Sequence, residues 1–309
     1  MSRVILVCGE SLIDVISRVD EPVVEVVGGG PLNTAIAASR LGATVTLLCP
    51  TSTDNRGHVI RQTLAESAVA LLPNRVTELP TAVAHAHIDA HGHASYDFDL
   101  LGTALTDISA TDSVDALQRQ PSAVHVGTLA LALPHFAQTT CALLSAAPGA
   151  ALVMVDPNCR PTFLDGNVEF QSTWHQALAR ADVIKVSDDD IRYLYGDDVD
   201  AGVAQLQQQT NAVILLTLGA AGVDVFAPGS RARVAAPQIT VADTVGAGDT
   251  FSGAFLAGCA ENGWRPGASP DLLLDAVEFA AVAAALVCTR VGAVPPTRAE
   301  VDAFISALP

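Results

Sequence analysis

The sequence has one lysine, Lys185, beside fifteen arginines, and its 16 basic residues face 33 acidic ones. A formal net charge of −17 argues against a nucleic-acid or anionic-lipid partner, since both are held chiefly by basic side chains that neutralise phosphates. No two of the six cysteines (Cys8, Cys49, Cys141, Cys159, Cys259, Cys288) form a Cys-x-x-Cys pair, which disfavours a zinc site and a disulfide framework. Reduced thiols are expected. The longest clean apolar runs, such as 279–288, stop well short of the roughly 20 residues a bilayer helix needs, so no membrane partner is expected either. Residues 1–9 enter an apolar strand-like run at once, without a long apolar stretch and a cleavage site, and this sets the expectation of a cytoplasmic protein. What remains is a chain with 50% apolar and 16% charged residues, compact and suited to a small-molecule partner.

At 309 residues the chain is long for one ordinary domain, so a large α/β domain with an insertion, or two domains, is the starting expectation. Short apolar runs at 4–8, 44–49, 123–127, 151–156, 183–186 and 213–217 alternate with longer Ala/Leu-rich segments. That alternation predicts a mostly parallel sheet covered by helices. Residues 13–27 and 82–98 break it: both read as strands without a long helix, and Ala90-His91-Gly92-His93 reads as a turn within the second. The expected organisation is an α/β catalytic body of 1–12, 28–81 and 99–309 with a small antiparallel sheet, 13–27 and 82–98, inserted as a lid. An exposed lid sheet has an edge that a second copy can cover, so a homodimer through the lid is expected. His85, His87, His91 and His93 fall at alternating positions that could share a face and hold a metal. The preferred reading is an exposed hairpin, because no acidic or cysteine ligand has zinc-motif spacing.

The strongest chemical signal is Asp243-Thr244-Val245-Gly246-Ala247-Gly248-Asp249-Thr250-Phe251-Ser252-Gly253-Ala254-Phe255. A glycine-bearing turn leads into a helix whose small residues permit close packing. Free amides at the start of that helix, reinforced by its dipole, form a binding device for a developing anion. Asp249, at the same turn, is then placed to take a proton from an attacking hydroxyl. The alternative is a glycine-rich cap with Asp249 as the capping residue.

This stretch closely resembles the second signature of the ribokinase-like carbohydrate kinases, the PfkB family. In that family the last Asp is the catalytic base and the Gly-Ala-Gly amides stabilise the transferring phosphoryl group, which carries those roles to Asp249, Gly246, Ala247 and Gly248. The chain has no Gly-x4-Gly-Lys-[Ser/Thr] loop, so an ordinary P-loop kinase does not compete. Gly28-Gly29-Gly30-Pro31-Leu32-Asn33 resembles the first signature, and the resemblance implies sugar contacts from Gly29, Gly30 and Asn33. Asp14, in Gly9-Glu10-Ser11-Leu12-Ile13-Asp14, matches an Asp that hydrogen-bonds sugar hydroxyls; otherwise it is a surface turn carboxylate. Asp156-Pro157-Asn158-Cys159-Arg160-Pro161 resembles the Asp-x-Asn-x-Arg segment of fructokinases and 2-keto-3-deoxygluconate kinases, which puts Asn158 and Arg160 on the sugar and phosphate side. Arg160 could instead be a structural ion-pair partner.

Lys185-Val186-Ser187-Asp188-Asp189-Asp190 matches the family segment that reaches nucleotide phosphates and the magnesium shell. A lone lysine among arginines points to a need for a flexible point charge, against simple compositional drift. Asn and Glu are usual where Ser187 and Asp190 stand, so the Ser187 hydroxyl and the shorter Asp190 carboxylate are expected to act on the nucleotide phosphates and magnesium through water. Thr217-Leu218-Gly219-Ala220-Ala221-Gly222 resembles the nucleotide-binding turn and carries Thr217, Gly219 and Gly222 over. Residues 279–286 and 289–293 resemble the part that flanks adenine, and Asp243 corresponds to an Asp that holds a monovalent cation such as K+.

The resemblance runs from Gly9 to Pro295 with motifs in family order, and it implies a ribokinase-like three-layer α/β/α fold. It also implies an ATP- and Mg2+-dependent sugar kinase, closest in motifs to fructokinase. Kinases for 2-keto-3-deoxygluconate, ribose or nucleosides are the alternatives within the class. Outside it stands a catalytically silent sugar-binding regulator.

Overall fold

Nine strands form one large sheet in a computed structural model that describes residues 4–19, 21–88 and 94–307. From edge to edge they run Val69–Leu72, Thr44–Leu48, Val4–Cys8, Ala123–Gly127, Leu152–Asp156, Val183–Ser187, Val213–Thr217, Val223–Ala227 and Ser230–Val234. The first seven pair in parallel, and the last two close one edge as an antiparallel hairpin. A strand covered on both faces cannot alternate apolar with polar, and this explains runs such as VILVC and LVMVD. All six strands expected from the sequence form, with ends shifted by no more than one residue.

The two faces are distinguished by register. Cys8 pairs with Val126 and Val126 with Val155, so these three share a face and Asp156 points to the other. The Cys8 thiol meets the Thr140 hydroxyl of helix Pro134–Ala146 on the first face. Asp156 accepts a hydrogen bond from Ser252 of helix Ala247–Asn262 on the second. Helices Gly30–Arg40 and Pro270–Val287 pack against that second helix, completing a helix–sheet–helix sandwich. Among the described residues no helix is long and apolar enough to cross a membrane.

Strand order reverses beside Val4–Cys8. The chain adds Thr44–Leu48 and Val69–Leu72 on one side of it, then returns to its other side with Ala123–Gly127. Loops leaving the carboxyl ends of these two central strands therefore diverge and leave a crevice, the usual ligand position in an open α/β sheet.

A separate four-stranded sheet has the order Val24–Gly28, Leu12–Arg18, Val83–Ile88, Ala94–Asp99. Its outer pairs are antiparallel, as expected, but Leu12–Arg18 and Val83–Ile88 pair in parallel. Both middle strands follow from carboxyl ends of the large sheet and so run the same way, which makes the small sheet mixed. His85 Nε2 lies 3.0 Å from Asp99 and His87 Nε2 3.8 Å from Asp97. The turn at 90–93, with His91 and His93, lies outside the described residues. Among those described, no group of three or more His, Cys, Asp or Glu is arranged to hold a metal.

Helices Gly30–Arg40 and Ala247–Asn262 pack tightly at Gly253, where a Cβ would lie 2.5 Å from the Thr34 carbonyl oxygen and 2.8 Å from the Ala37 Cβ. Gly253→Val should lower stability by about 1–3 kcal/mol through overpacking. Urea unfolding reads this directly, and an unchanged midpoint would mean that the helices part freely.

Candidate active site

Helix Ala247–Asn262 starts from Gly246, whose left-handed φ of 76° and closeness to Ala293, 2.6 Å from a would-be Cβ, both demand glycine. No side chain caps this helix. The Ala247 amide donates to the Thr244 carbonyl at 3.2 Å and the Thr250 amide to that of Gly246 at 2.8 Å, which leaves the amides between them, of Gly248 and Asp249, as the donors a helix start offers an anion. Asp249, in the first turn, is not the cap: its Oδ2 accepts a hydrogen bond from Asn33 Nδ2 at 3.0 Å. Burial raises its pKa to about 6, opposed by the Asn33 hydrogen bond and by the charges of Lys185 and Arg160.

Gly30 is the meeting point of three chain segments. A Cβ there would lie 3.0 Å from Thr128 Oγ1 and 3.1 Å from both Asn158 Nδ2 and Asp249 Oδ1. Thr128 and Asn158 have φ of 53° and 39°, left-handed values uncommon for residues with side chains. Each turns sharply at a strand end, and Asn158 Nδ2 donates to Thr128 Oγ1 at 3.3 Å. Gly29 must also lack a side chain, since a Cβ would lie 2.6 Å from the Glu10 carbonyl oxygen. Asp14 reaches the same crevice from the small sheet, packed so closely on Gly28 that a Cβ would fall 2.0 Å from its Oδ2. Burial raises Asp14 to a pKa of about 6, while the Arg160 charge pulls it down. Arg160 itself is exposed, donating to the Cys159 carbonyl at 3.1 Å. Asp14, Gly29, Gly30, Asn33, Asn158, Arg160 and Asp249 are thus brought to one place.

The nucleotide-side residues divide differently. Lys185 is 4% exposed, and its Nζ donates to Asp156 Oδ2 at 2.9 Å. Ser187 caps helix Asp188–Tyr195, and Asp190 returns the cap by accepting from the Ser187 amide at 2.8 Å and hydroxyl at 2.7 Å. The other Asp190 oxygen accepts from the Cys159 amide at 2.6 Å. Both Asp190 oxygens thus accept hydrogen bonds inside the protein. Thr217 ends its strand with the hydroxyl donating to the Val186 carbonyl at 3.3 Å. Gly219 and Gly222 bound a tight turn at φ 54° and 94°. Asp243 accepts from the amides of Gly292 at 2.8 Å and Val245 at 3.1 Å, and the Gly292 bond foremost holds its carboxyl below the ordinary range.

Glu10, Thr128, Asp156 and Ser252 belong to the site or its support, although no role is read for them from the sequence. Glu10 is 1% exposed, accepts from the Leu129 amide at 3.2 Å, and has its pKa pushed up to about 8 by burial. The available signal was position: Glu10 and Thr128 each follow a glycine at the end of a strand beside the order reversal.

The chain matches the description "pfkB family carbohydrate kinase" over residues 2–300. A fructokinase of Rhizobium leguminosarum bv. trifolii is 32% identical over 259 residues, 82% of this chain and 78% of that protein. The crystal structure of a fructokinase with bound ATP from Xylella fastidiosa superposes with a TM-score of 0.88 at 26% identity, covering 99% of both chains. A fructokinase from Vibrio cholerae O395, in a form that binds fructose, ADP and calcium, gives 0.83 at 26% identity over 98% of this chain and 99% of that one.

The Asp249 environment sets a titration that can be read without any ligand. Its carboxyl, followed by carbon-13 NMR, should titrate near pH 6, and Asn33→Leu should raise that midpoint because the donor favouring the ionised form is lost. A midpoint near 4 in the unaltered protein would contradict the burial described.

Proposed function

This chain belongs to the pfkB family of carbohydrate kinases, and from that membership we propose that it is an ATP-dependent fructokinase with Asp249 as catalytic base. The observation that carries the reading is the single meeting point at Gly30. There the Asp249 carboxylate, the amide turn before it, and the polar side chains of Asn33, Thr128 and Asn158 all face one crevice. The fructokinases bearing ATP or fructose and ADP supply the ligands for this chain by analogy.

Asp14, Asn33 and Asn158 bind and orient the sugar, with Gly29 and Gly30 letting it approach the backbone. Arg160 sits between the sugar and the phosphates. A primary hydroxyl of fructose loses its proton to Asp249 as its oxygen bonds to the γ-phosphorus; the bond to the bridging oxygen breaks and ADP leaves. Charge on the phosphoryl oxygens is met at the turn of Gly246, Ala247 and Gly248, where the Ala247 amide exchanges the Thr244 carbonyl for the incoming anion. Thr217, Gly219 and Gly222 form the bed for the nucleotide. Magnesium would supply further charge neutralisation on the phosphates, and a monovalent cation such as K+ would be held beside Asp243, whose oxygens also accept from the Val245 and Gly292 amides. The small sheet acts as a lid that excludes water, which limits ATP hydrolysis. The exposed valines at 24 and 26 on a lid strand support a homodimer through that sheet. Six free cysteines are compatible with a cytoplasmic address.

A coupled ADP-release assay across fructose, ribose, nucleosides and 2-keto-3-deoxygluconate should give fructose the highest kcat/KM; a clear preference for the keto acid would replace the substrate. Asp249→Asn should fold normally and keep its affinities while kcat falls by about 10²- to 10⁴-fold. Near-unaltered turnover in that variant would overturn the mechanism. With the base at a pKa of about 6, kcat/KM should decline as pH falls below about 6, where the carboxylate takes up a proton.

A further inference from the structure

We propose that Lys185, held by Asp156, is a positioning residue that fixes the Gly246–Asp249 turn from beneath and does not reach the nucleotide. This rests on the kinase reading above and assigns the lone lysine a different task from the phosphate contact expected of its sequence segment.

Asp156 and Lys185 stand on neighbouring strands in continuing register, since Met154 pairs with Val183 and Val155 with Ile184. Both are nearly inaccessible, at 3% and 4% exposure. Asp156 Oδ2 accepts from Lys185 Nζ at 2.9 Å and from Ser252 of the anion-turn helix at 3.1 Å, while its Oδ1 has no protein partner. Nζ also lies 3.0 Å from the place where a Gly248 Cβ would be. The ammonium is therefore packed between the sheet and the turn, under a glycine whose replacement by a larger residue would crowd it. Burial disfavours the charged form, yet the charges of Asp156 and Asp190 keep the lysine protonated. The neighbouring His125, on the same sheet face, adds no charge: burial lowers its pKa to about 3.

Reaching a nucleotide would require this ammonium to abandon Asp156 and leave an uncompensated carboxylate in the interior. Holding its place, it sets the height of the turn and keeps a fixed positive charge close behind amides that must meet a developing anion. A compact ammonium fits the space under Gly248, where a planar guanidinium fork would not. That requirement accounts for a lysine in a chain that otherwise uses arginine.

The test is the double variant Asp156→Asn/Lys185→Met, which removes both charges at nearly constant volume and leaves Ser252 an acceptor. Once circular dichroism shows it folded, calorimetry should give an ATP Kd within about threefold of the unaltered protein and kinetics an unchanged sugar KM, with kcat lower by about 100-fold. Amide exchange at Ala247 and Thr250 should quicken by about tenfold or more in the ligand-free protein. Unchanged kcat and exchange would overturn the proposal, as would an ATP Kd about tenfold weaker with kcat retained. If the double variant does not fold, Gly248→Ala leaves the pair intact and pushes a methyl onto the ammonium. It should lose at least about tenfold in kcat at unchanged ATP Kd, and unaltered kcat would overturn the proposal. An unaltered protein that binds ATP and phosphorylates no sugar sinks the kinase reading alone, and the exchange rates then decide the role of Lys185.

Discussion

Helices Gly30–Arg40 and Ala247–Asn262 touch because residue 253 has no side chain, and the site depends on that contact. One helix begins at Gly30 and carries Asn33; the other carries Asp249 in its first turn. Their separation fixes the 3.0 Å hydrogen bond that holds the carboxylate and the gap over Gly30 into which Thr128 and Asn158 project. A wider helix pair would leave the carboxylate hydrated, with an ordinary pKa, and a weak acceptor of a proton from a sugar hydroxyl near neutral pH. Packing in the cover layer and acidity in the crevice are one constraint seen at two levels.

Electrostatics resolve an apparent conflict in the composition. A chain with net charge −17 is proposed to bind a polyanionic nucleotide, so attraction at long range is unfavourable and must be overcome locally. Local positive character comes from the uncapped helix start and exposed Arg160, with the buried ammonium of Lys185 behind them. Glu10, a further acid near the site, is held mostly protonated at neutral pH by burial and so adds little negative charge there.

Much of this was legible in the sequence, for identifiable reasons. The central strands are uninterrupted apolar runs between helix-compatible stretches, and each of the six read this way forms. Glycines at 246, 29 and 30 were legible because backbone geometry or close approach forbids a side chain. Edge strands were not: Ser230–Val234 reads SRARV, half-exposed and without an apolar pattern, and its pairing is decided by the neighbouring hairpin strand. The parallel pairing inside the small sheet was hidden because it joins segments some seventy residues apart. Thr128 lies in no motif, and Glu10 lies in one without a role of its own; the three-dimensional reversal of strand order gives both their place. For Ser187 and Asp190 the family segment pointed toward ligands, whereas the same Ser-x-x-Asp spacing also forms a capping box, and that local use is what the structure adopts.

The position of Val4–Cys8 in the middle of the large sheet has a consequence for synthesis on the ribosome. Of the strands of the large sheet this one is made first, yet one of its neighbours, Ala123–Gly127, is translated more than a hundred residues later. At about 5–20 residues per second, that edge stays unpaired for roughly ten seconds, exposed to any other strand in reach. Asp14 and Asp249 are separated by more than two hundred residues, so a nascent polypeptide cannot assemble the crevice until that whole stretch has emerged. The sugar and nucleotide can then stabilise only the finished product, and earlier stages depend on the apolar strands alone.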